Sequence, residues 1–100
     1  MLNLNVTKDG ETLCVALEGR LDTVSSPELE ECLREDLPGM TLLVLDFEKL
    51  DYISSAGLRV LLAAQKAMTG KDGKMKLTGV GDIIMEIFDT TGFSEILTIE

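Results

Sequence analysis

Seven residues in the middle of the chain limit most strongly what it can fold into. Residues 41–47 read Thr-Leu-Leu-Val-Leu-Asp-Phe, a nearly continuous apolar run that is typical of a strand buried on both faces or central in its sheet. Residues 58–68 follow with good helix formers and are apolar around most of the helix circumference, which predicts the most buried helix of the domain. A central strand followed by a buried helix favours an α/β fold, in which helices connect parallel strands.

The amino-terminal residues carry the pattern of a β-hairpin. Residues 2–7 and residues 12–18 alternate apolar and polar side chains, which is the period of a half-buried strand. Residues 8–11 lie between them and contain Asp-Gly, a strong signal for a tight turn. We therefore expect an antiparallel pair of strands at the start of the chain.

Several helix-start signals lie shortly after this hairpin. Ser26 can cap a helix, and Pro27 suits its first position. Ser25 and Glu28 also have the spacing of a capping box, in which each side chain bonds to the other residue's backbone N–H. The helix is predicted to end at residues 38–39, Pro-Gly.

The complete predicted order of elements is β-β-α-β-α-β-α-β. After the buried helix come a strand over residues 74–78, a helix over 83–90 and a short apolar segment over 93–99, which is predicted as a final strand or a helical turn. Such an alternation implies right-handed crossovers and an at least partly parallel sheet. Because the chain is too short for two ordinary cores, we expect one domain over residues 1–100, with a mixed β-sheet and helices mainly on one face.

The charge of the chain bears on the kinds of partner it can have. The 100 residues include 9 Lys and Arg and 18 Asp and Glu, a formal net charge of −9, and this sign argues against binding of nucleic acid. The acidity indicates either simple solubility or an acidic face that attracts a basic partner. No apolar run approaches the roughly 20 residues of a membrane helix, and the amino terminus lacks the segments of a signal peptide. We expect a cytoplasmic protein without a membrane partner.

The absence of histidine removes the side chain that most often serves in catalysis and metal binding. No Ser-His-Asp triad, Cys-His pair or imidazole metal ligand is available, so we expect no enzymatic activity, no metal and no cofactor. Asp46, Glu48 and Asp51 are near one another in sequence, but no glycine-rich phosphate loop accompanies them. We interpret residues 48–53 as a solvated connection. A small nucleotide-binding or phosphoryl-transfer enzyme remains an alternative, and it would bind or turn over nucleotide by itself.

Ser54 and Ser55 stand where the connection ends and the buried helix begins. A serine at this place can accept a hydrogen bond from the free N–H groups of the first helical turn, and one serine suffices for that role. The same N–H groups and the helix dipole would tolerate a phosphate on the other hydroxyl. Capping physics alone favours a structural role and leaves phosphate acceptance open.

Three segments of the chain match the motifs of a known family. They read Gly19-Arg20-Leu21-Asp22, Ser54-Ser55-Ala56-Gly57-Leu58 and Ile87-Phe88-Asp89-Thr90-Thr91-Gly92-Phe93. They are similar to the segments Gly-x-Leu/Ile-Asp, Asp-Ser-Ser/Thr-Gly-Leu and Leu-Phe-Asp-x-x-Gly-Leu/Phe. In this order, and on this pattern of strands and helices, the chain resembles the STAS-domain family, particularly the bacterial anti-sigma-factor antagonists.

The resemblance implies partner switching, which regulates transcription indirectly. The unphosphorylated antagonist binds an anti-sigma factor that is also an ATP-dependent serine kinase of the GHKL type, and this binding frees the sigma factor. Phosphorylation by the kinase releases the antagonist, and a PP2C-type phosphatase resets it. We expect this phosphoprotein to be a monomer when free.

The resemblance also implies which residues carry the function. Ser55 takes the position of the phosphoacceptor, two residues before Gly57, and Ser54 is a second candidate because it stands where many antagonists carry Asp. Ala56 stands where they carry Ser or Thr. Asp22 is expected near Ser55 in space, as a recognition residue or as a turn residue. The expected partner-binding residues are Asp22, Thr23, Ser54, Ser55, Ala56, Gly57 and Arg59. The main alternative is a STAS scaffold that is not phosphorylated and binds a sensor or transporter component by shape.

Overall fold

Within residues 2–100, four strands and three α-helices follow one another in the order β-β-α-β-α-β-α. The computed structural model describes residues 2–100. The strands are β1 (Leu2–Asp9), β2 (Thr12–Leu21), β3 (Leu42–Ile53) and β4 (Lys74–Thr78), and the helices are α1 (Ser26–Asp36), α2 (Ser55–Gly70) and α3 (Asp82–Thr91). A 3₁₀ turn over Phe93–Glu95 follows α3. The predicted α/β class and the predicted order of these elements are confirmed.

The strands form one mixed sheet in the spatial order β1-β2-β3-β4. β1 and β2 are the predicted antiparallel hairpin, and Gly10 lies at the first central position of its turn with φ of 61°, where glycine is favoured in type II′ turns. β2 pairs in parallel with β3, and β3 in parallel with β4. The connections through α1 and α2 are therefore crossovers between parallel strands.

The core lies between one face of the sheet and the helices. Alternate residues of the central strands are buried on this face, whereas Leu42 and Val44, on the opposite face of β3, are only half-buried. Phe47 of β3 and Phe88 of α3 pack with ring centroids 6.2 Å apart. The fully buried large side chains are Phe47, Phe88, Leu13, Leu17, Leu21, Leu29, Leu43, Leu45, Ile53, Leu61, Met68 and Leu77.

Strand β3 is longer than the sequence predicted. Residues 48–53, interpreted as a solvated connection, continue β3 to Ile53. The pairing of β2 with β3 shifts register between Ala16 and Glu18 and again between Gly19 and Arg20. These irregularities break the two-residue period by which a strand is recognised, so the prediction stopped too early. The carboxylates of Asp46, Glu48 and Asp51 consequently lie on a strand, with Glu48 and Asp51 exposed.

The start of helix α1 differs from the prediction. Ser25, not Ser26, occupies the N-cap position of α1, and the predicted capping box between Ser25 and Glu28 is wrong because the Ser25 side chain makes no cap hydrogen bond. Its hydroxyl donates instead to the carbonyl oxygen of Arg20, 2.6 Å away. Helix α2 begins at Ser55 with Ser54 as its N-cap, as the double serine predicted, and so includes three residues before the apolar run at residues 58–68.

The last apolar segment forms the 3₁₀ turn and then a single strand-like bridge. Ile99 pairs in parallel with Leu77 of β4. The Leu77 N–H donates to the carbonyl of Thr98, and the Glu100 N–H donates to the carbonyl of Leu77, both at 2.9 Å. The predicted final strand is thus present as one bridge at the edge of the sheet.

Candidate functional site

Two loops meet at the carboxyl ends of the parallel strands β2 and β3. Leu21 is paired with Ile53 at the last position of both strands, and the Ser54 N–H donates to the carbonyl oxygen of Leu21 at 2.9 Å. Asp22 directly follows Leu21, as Ser54 directly follows Ile53. The sheet therefore places the Asp22 loop beside the double serine.

The two adjacent serines have different environments. Ser54 is the N-cap residue of α2 in an extended conformation, and its hydroxyl oxygen accepts the N–H of Gly57 at 3.5 Å. Ser55 is the first helical residue, and its side chain is exposed. One serine therefore caps the helix, whereas the other presents a hydroxyl to solvent at the positive end of the helix dipole.

Gly57 lets α2 approach the ends of the two strands closely. A Cβ atom at this position would lie 2.8 Å from Cγ1 of Ile53 and 2.9 Å from Cγ of Leu21. The next residue, Leu58, is 7% exposed and belongs to the core. Glycine at residue 57 is therefore required by packing between α2 and the strands.

Asp22 organises its own loop through hydrogen bonds. Its Oδ1 atom accepts the N–H groups of Val24 at 3.1 Å and Ser25 at 3.0 Å. The Ser25 hydroxyl accepts the Asp22 N–H at 2.9 Å. The hydrogen bond from the Ser25 N–H is the main cause that holds the pKa of the Asp22 carboxyl below its ordinary value, because such a bond favours the ionised form.

Four residues near the site were not predicted from the sequence to belong to it. Val24 is 85% exposed, although it is apolar, and Ser25 is 2% exposed, although it is polar. Arg20 stacks over the ring of Tyr52 at 4.4 Å, and the β2–β3 register pairs these two residues directly. The pairing could have been found only by knowing the shifted register, whereas the inverted burial of residues 24 and 25 has no sequence signal.

A shallow groove of about 360 Å³ runs between the amino-terminal turns of α1 and α2. Three of the predicted partner-binding residues, Thr23, Ala56 and Arg59, line this groove together. The Arg59 side chain is exposed. We refer to residues 22–24, 54–56 and 59 as the Ser55 surface; Gly57, which was also predicted to bind the partner, is buried. The remaining residues that line the groove are Ser26, Pro27, Glu30 and Val60.

Residues 2–100 hold neither a candidate metal site nor a candidate membrane-spanning helix. Among residues 2–100, no cluster of three His, Cys, Asp or Glu side chains has a geometry that could hold a metal ion. Within the same range, no helix combines the length and apolar character needed to cross a membrane.

Comparison with known proteins assigns the chain to a family. The STAS domain family matches residues 3–100. An anti-sigma-B factor antagonist of Staphylococcus aureus (strain NCTC 8325 / PS 47) is 31% identical over 99 residues, which cover 96% of this chain and 90% of that protein. The chain therefore belongs to the STAS domain family.

Solved structures show the same fold. The crystal structure of an anti-sigma factor antagonist from Mycobacterium paratuberculosis matches with a TM-score of 0.89 at 21% identity, over 99% of this chain and 85% of that chain. The Bacillus cell fate determinant SpoIIAA in its phosphorylated form matches with a TM-score of 0.78 at 17% identity, over 98% of this chain and 91% of that chain.

Proposed function

We propose that this chain is an anti-sigma-factor antagonist whose binding is switched by phosphorylation of Ser55. The observation that carries the proposal is that the two serines have different roles: one caps helix α2 and the other is exposed. Ser54 accepts the hydrogen bond that caps α2, so the exposed hydroxyl of Ser55 is free for modification without loss of the cap. The relative from Staphylococcus aureus, named as an anti-sigma-B factor antagonist, supports the role.

A phosphate on Ser55 suits its position on the helix. Ser55 is the first residue of α2, where free N–H groups and the helix dipole stabilise negative charge. The phosphate adds a charge of about −1.5 to −2 at neutral pH to a chain whose net charge is −9. The fold should tolerate the modification. A partner that packs against the Ser55 surface would have to remove water from the phosphate or place its own negative charge beside it, and either effect weakens binding.

The chain itself acts without catalysis in this proposal. An anti-sigma factor with serine kinase activity of the GHKL type binds the Ser55 surface, and the γ-phosphoryl group of ATP passes to the Ser55 oxygen, with ADP and the hydroxyl proton as the other products. A PP2C-type phosphatase hydrolyses the phosphoserine. The antagonist works in the cytoplasm and is a monomer when free.

Phosphorylation mapping tests the proposal directly. The purified protein is incubated with its anti-sigma factor and ATP, and the modified peptide is sequenced by mass spectrometry. We expect phosphate on Ser55, no incorporation in Ser55→Ala, and incorporation in Ser54→Ala, which loses only the cap, at a cost of about 1 kcal/mol. Equal labelling of Ser55→Ala and the parent would refute the assignment of Ser55.

The alternative of a scaffold that is not phosphorylated makes a different prediction. In that case Ser55→Ala and Ser55→Asp bind the partner with the affinity of the parent protein, because shape alone determines binding. Under the proposed function, Ser55→Ala keeps the affinity and Ser55→Asp weakens it, since the added carboxylate places charge at the centre of the Ser55 surface.

A further inference from the structure

The Asp22 loop has an inverted distribution of polar and apolar side chains. Val24 is 85% exposed, more than the other large apolar side chains with high exposure, Ile83 at 69% and Ile96 at 50%; Ser25 and Ser26 are only 2% and 3% exposed. Single exposed apolar residues are common on protein surfaces, but buried polar residues need compensating contacts. This loop therefore needs hydrogen bonds that compensate for the burial of the Ser25 and Ser26 hydroxyls, while Val24 is exposed.

Hydrogen bonds fix the backbone beneath Val24. The Val24 N–H donates to Oδ1 of Asp22 at 3.1 Å. The Ser25 hydroxyl donates to the Arg20 carbonyl at 2.6 Å and accepts the Asp22 N–H at 2.9 Å. The Ser26 N–H donates to the Asp22 carbonyl at 2.8 Å. These bonds hold both sides of residue 24, so its position is set before any partner arrives.

The side chain of valine adds to this preorganisation. Branching at Cβ restricts valine to few rotamers, so that immobilising Val24 in a partner sacrifices little side-chain entropy. Exposure of the isopropyl group to water is unfavourable in the free domain, and its transfer to an apolar pocket would be favourable. Val24 thus combines a fixed backbone, a stiff side chain and unburied apolar area.

Val24 belongs to the loop that carries Asp22 and Thr23, two of the predicted partner-binding residues. Its neighbour Thr23 lines the groove with Ala56 and Arg59, and the carbonyl of Leu21 accepts the Ser54 N–H. A partner that covers the Ser55 hydroxyl consequently meets this loop in the same contact area.

We propose that Val24 is the apolar anchor of this interface and inserts into an apolar pocket of the anti-sigma factor. The inference rests on the proposed function, because it takes the anti-sigma factor as the occupant of the Ser55 surface. It assigns to the partner a pocket lined by aliphatic or aromatic side chains, placed beside the group that approaches Ser55. A rim of basic side chains around this pocket would match the net charge of −9.

Isosteric substitution separates apolar anchoring from simple shape. Val24→Thr keeps the branched shape but places a hydroxyl in the pocket, and Val24→Ala removes both methyl groups. We expect both variants, unphosphorylated, to bind the anti-sigma factor at least about tenfold more weakly, since Val24→Thr buries a hydroxyl without a partner and Val24→Ala loses apolar burial. Binding is measured by isothermal titration calorimetry with the purified anti-sigma factor, and thermal unfolding checks that the variants fold.

The control variants make each outcome decisive. Ile96→Ala truncates another exposed apolar residue, near the edge bridge of β4 and remote from the Ser55 surface, and should bind like the parent. If Val24→Thr and Val24→Ala bind within about twofold of the parent while Ser55→Asp binds weakly, the anchor is refuted and the proposed function stands. If the parent binds no anti-sigma factor, the proposed function is refuted, and the anchor with it.

Discussion

The absence of a side chain at Gly57 lets helix α2 approach the sheet closely. A methyl group in its place would lie 2.8 Å from Cγ1 of Ile53 and 2.9 Å from Cγ of Leu21, both well inside van der Waals contact. Both contacted atoms are bonded directly to Cβ, and both side chains are buried in the core, so neither can move away easily. The same approach places Ser54 and Ser55 at the carboxyl ends of β2 and β3.

Gly57→Ala should therefore destabilise the domain. Overpacking costs about 1–3 kcal/mol, and the better helix propensity of alanine offsets up to about 1 kcal/mol of that. We expect the free energy of unfolding to fall by about 1–2 kcal/mol, as measured by urea denaturation. Gly70→Ala is the matched control, because among residues 2–100 a Cβ there would meet no heavy atom within 4 Å. Equal stability of the two variants would contradict the packing argument.

At the scale of elements, the Asp22 loop links β2 to α1 and depends on an ionised carboxylate. The pKa of Asp22 is held below its ordinary value of 3.8, mainly by the hydrogen bond from the Ser25 N–H. A carboxyl whose pKa is lower in the folded state stabilises the fold above its unfolded pKa, and this contribution disappears as the pH falls through the folded value. The loop is thus a source of acid sensitivity.

Comparison of the parent with Asp22→Asn isolates this contribution. We expect the parent to be the more stable protein from about pH 5 upward. The difference in the free energy of unfolding should shrink as the pH falls below 3.8, the ordinary value for this carboxyl. Thermal or urea unfolding at several pH values measures this difference. A difference that is the same at about pH 6 and about pH 3 would show that the charge of Asp22 has no role in the loop.

The elements that the sequence predicted well are those with an unbroken period. Strands β2 and β4 bury alternate side chains, and β1 alternates apolar and polar residues although only Leu2 of it is buried, so their patterns are visible without a structure. The end of β3 was missed because two register irregularities interrupt its alternation. The start of α1 was misplaced by one residue because Ser25 and Ser26 are adjacent candidates for the cap; both are buried, and the Ser25 hydroxyl bonds to the Arg20 carbonyl instead of to the helix.

The candidate site also has features that the sequence predicted and features that it did not. The family resemblance selected Ser55 and also implied that Asp22 lies near it in space. The exposure of Val24 and the burial of Ser25 were not predictable, because apolar residues are normally expected inside and serines outside. That inversion follows from hydrogen bonds between residues 20, 22 and 25, which no periodicity encodes.

At the scale of the whole molecule, the proposed phosphorylation changes the charge of the Ser55 surface. The unphosphorylated domain offers a neutral hydroxyl on α2 next to an apolar side chain on the Asp22 loop. Phosphorylation of Ser55 leaves the core unchanged in this account, because the modified residue is exposed and the cap is made by Ser54. The net charge moves from −9 to about −11, concentrated where the partner binds.

The central claim is tested most directly by measuring the affinity of one anti-sigma factor for both forms of this chain. The unphosphorylated protein and protein stoichiometrically phosphorylated on Ser55 are titrated against the same partner by isothermal titration calorimetry. We predict binding that is at least about 100-fold weaker for the phosphorylated form, equivalent to about 2.7 kcal/mol, with unchanged thermal stability of the free domain. Affinities within about twofold of each other would contradict the proposed switch.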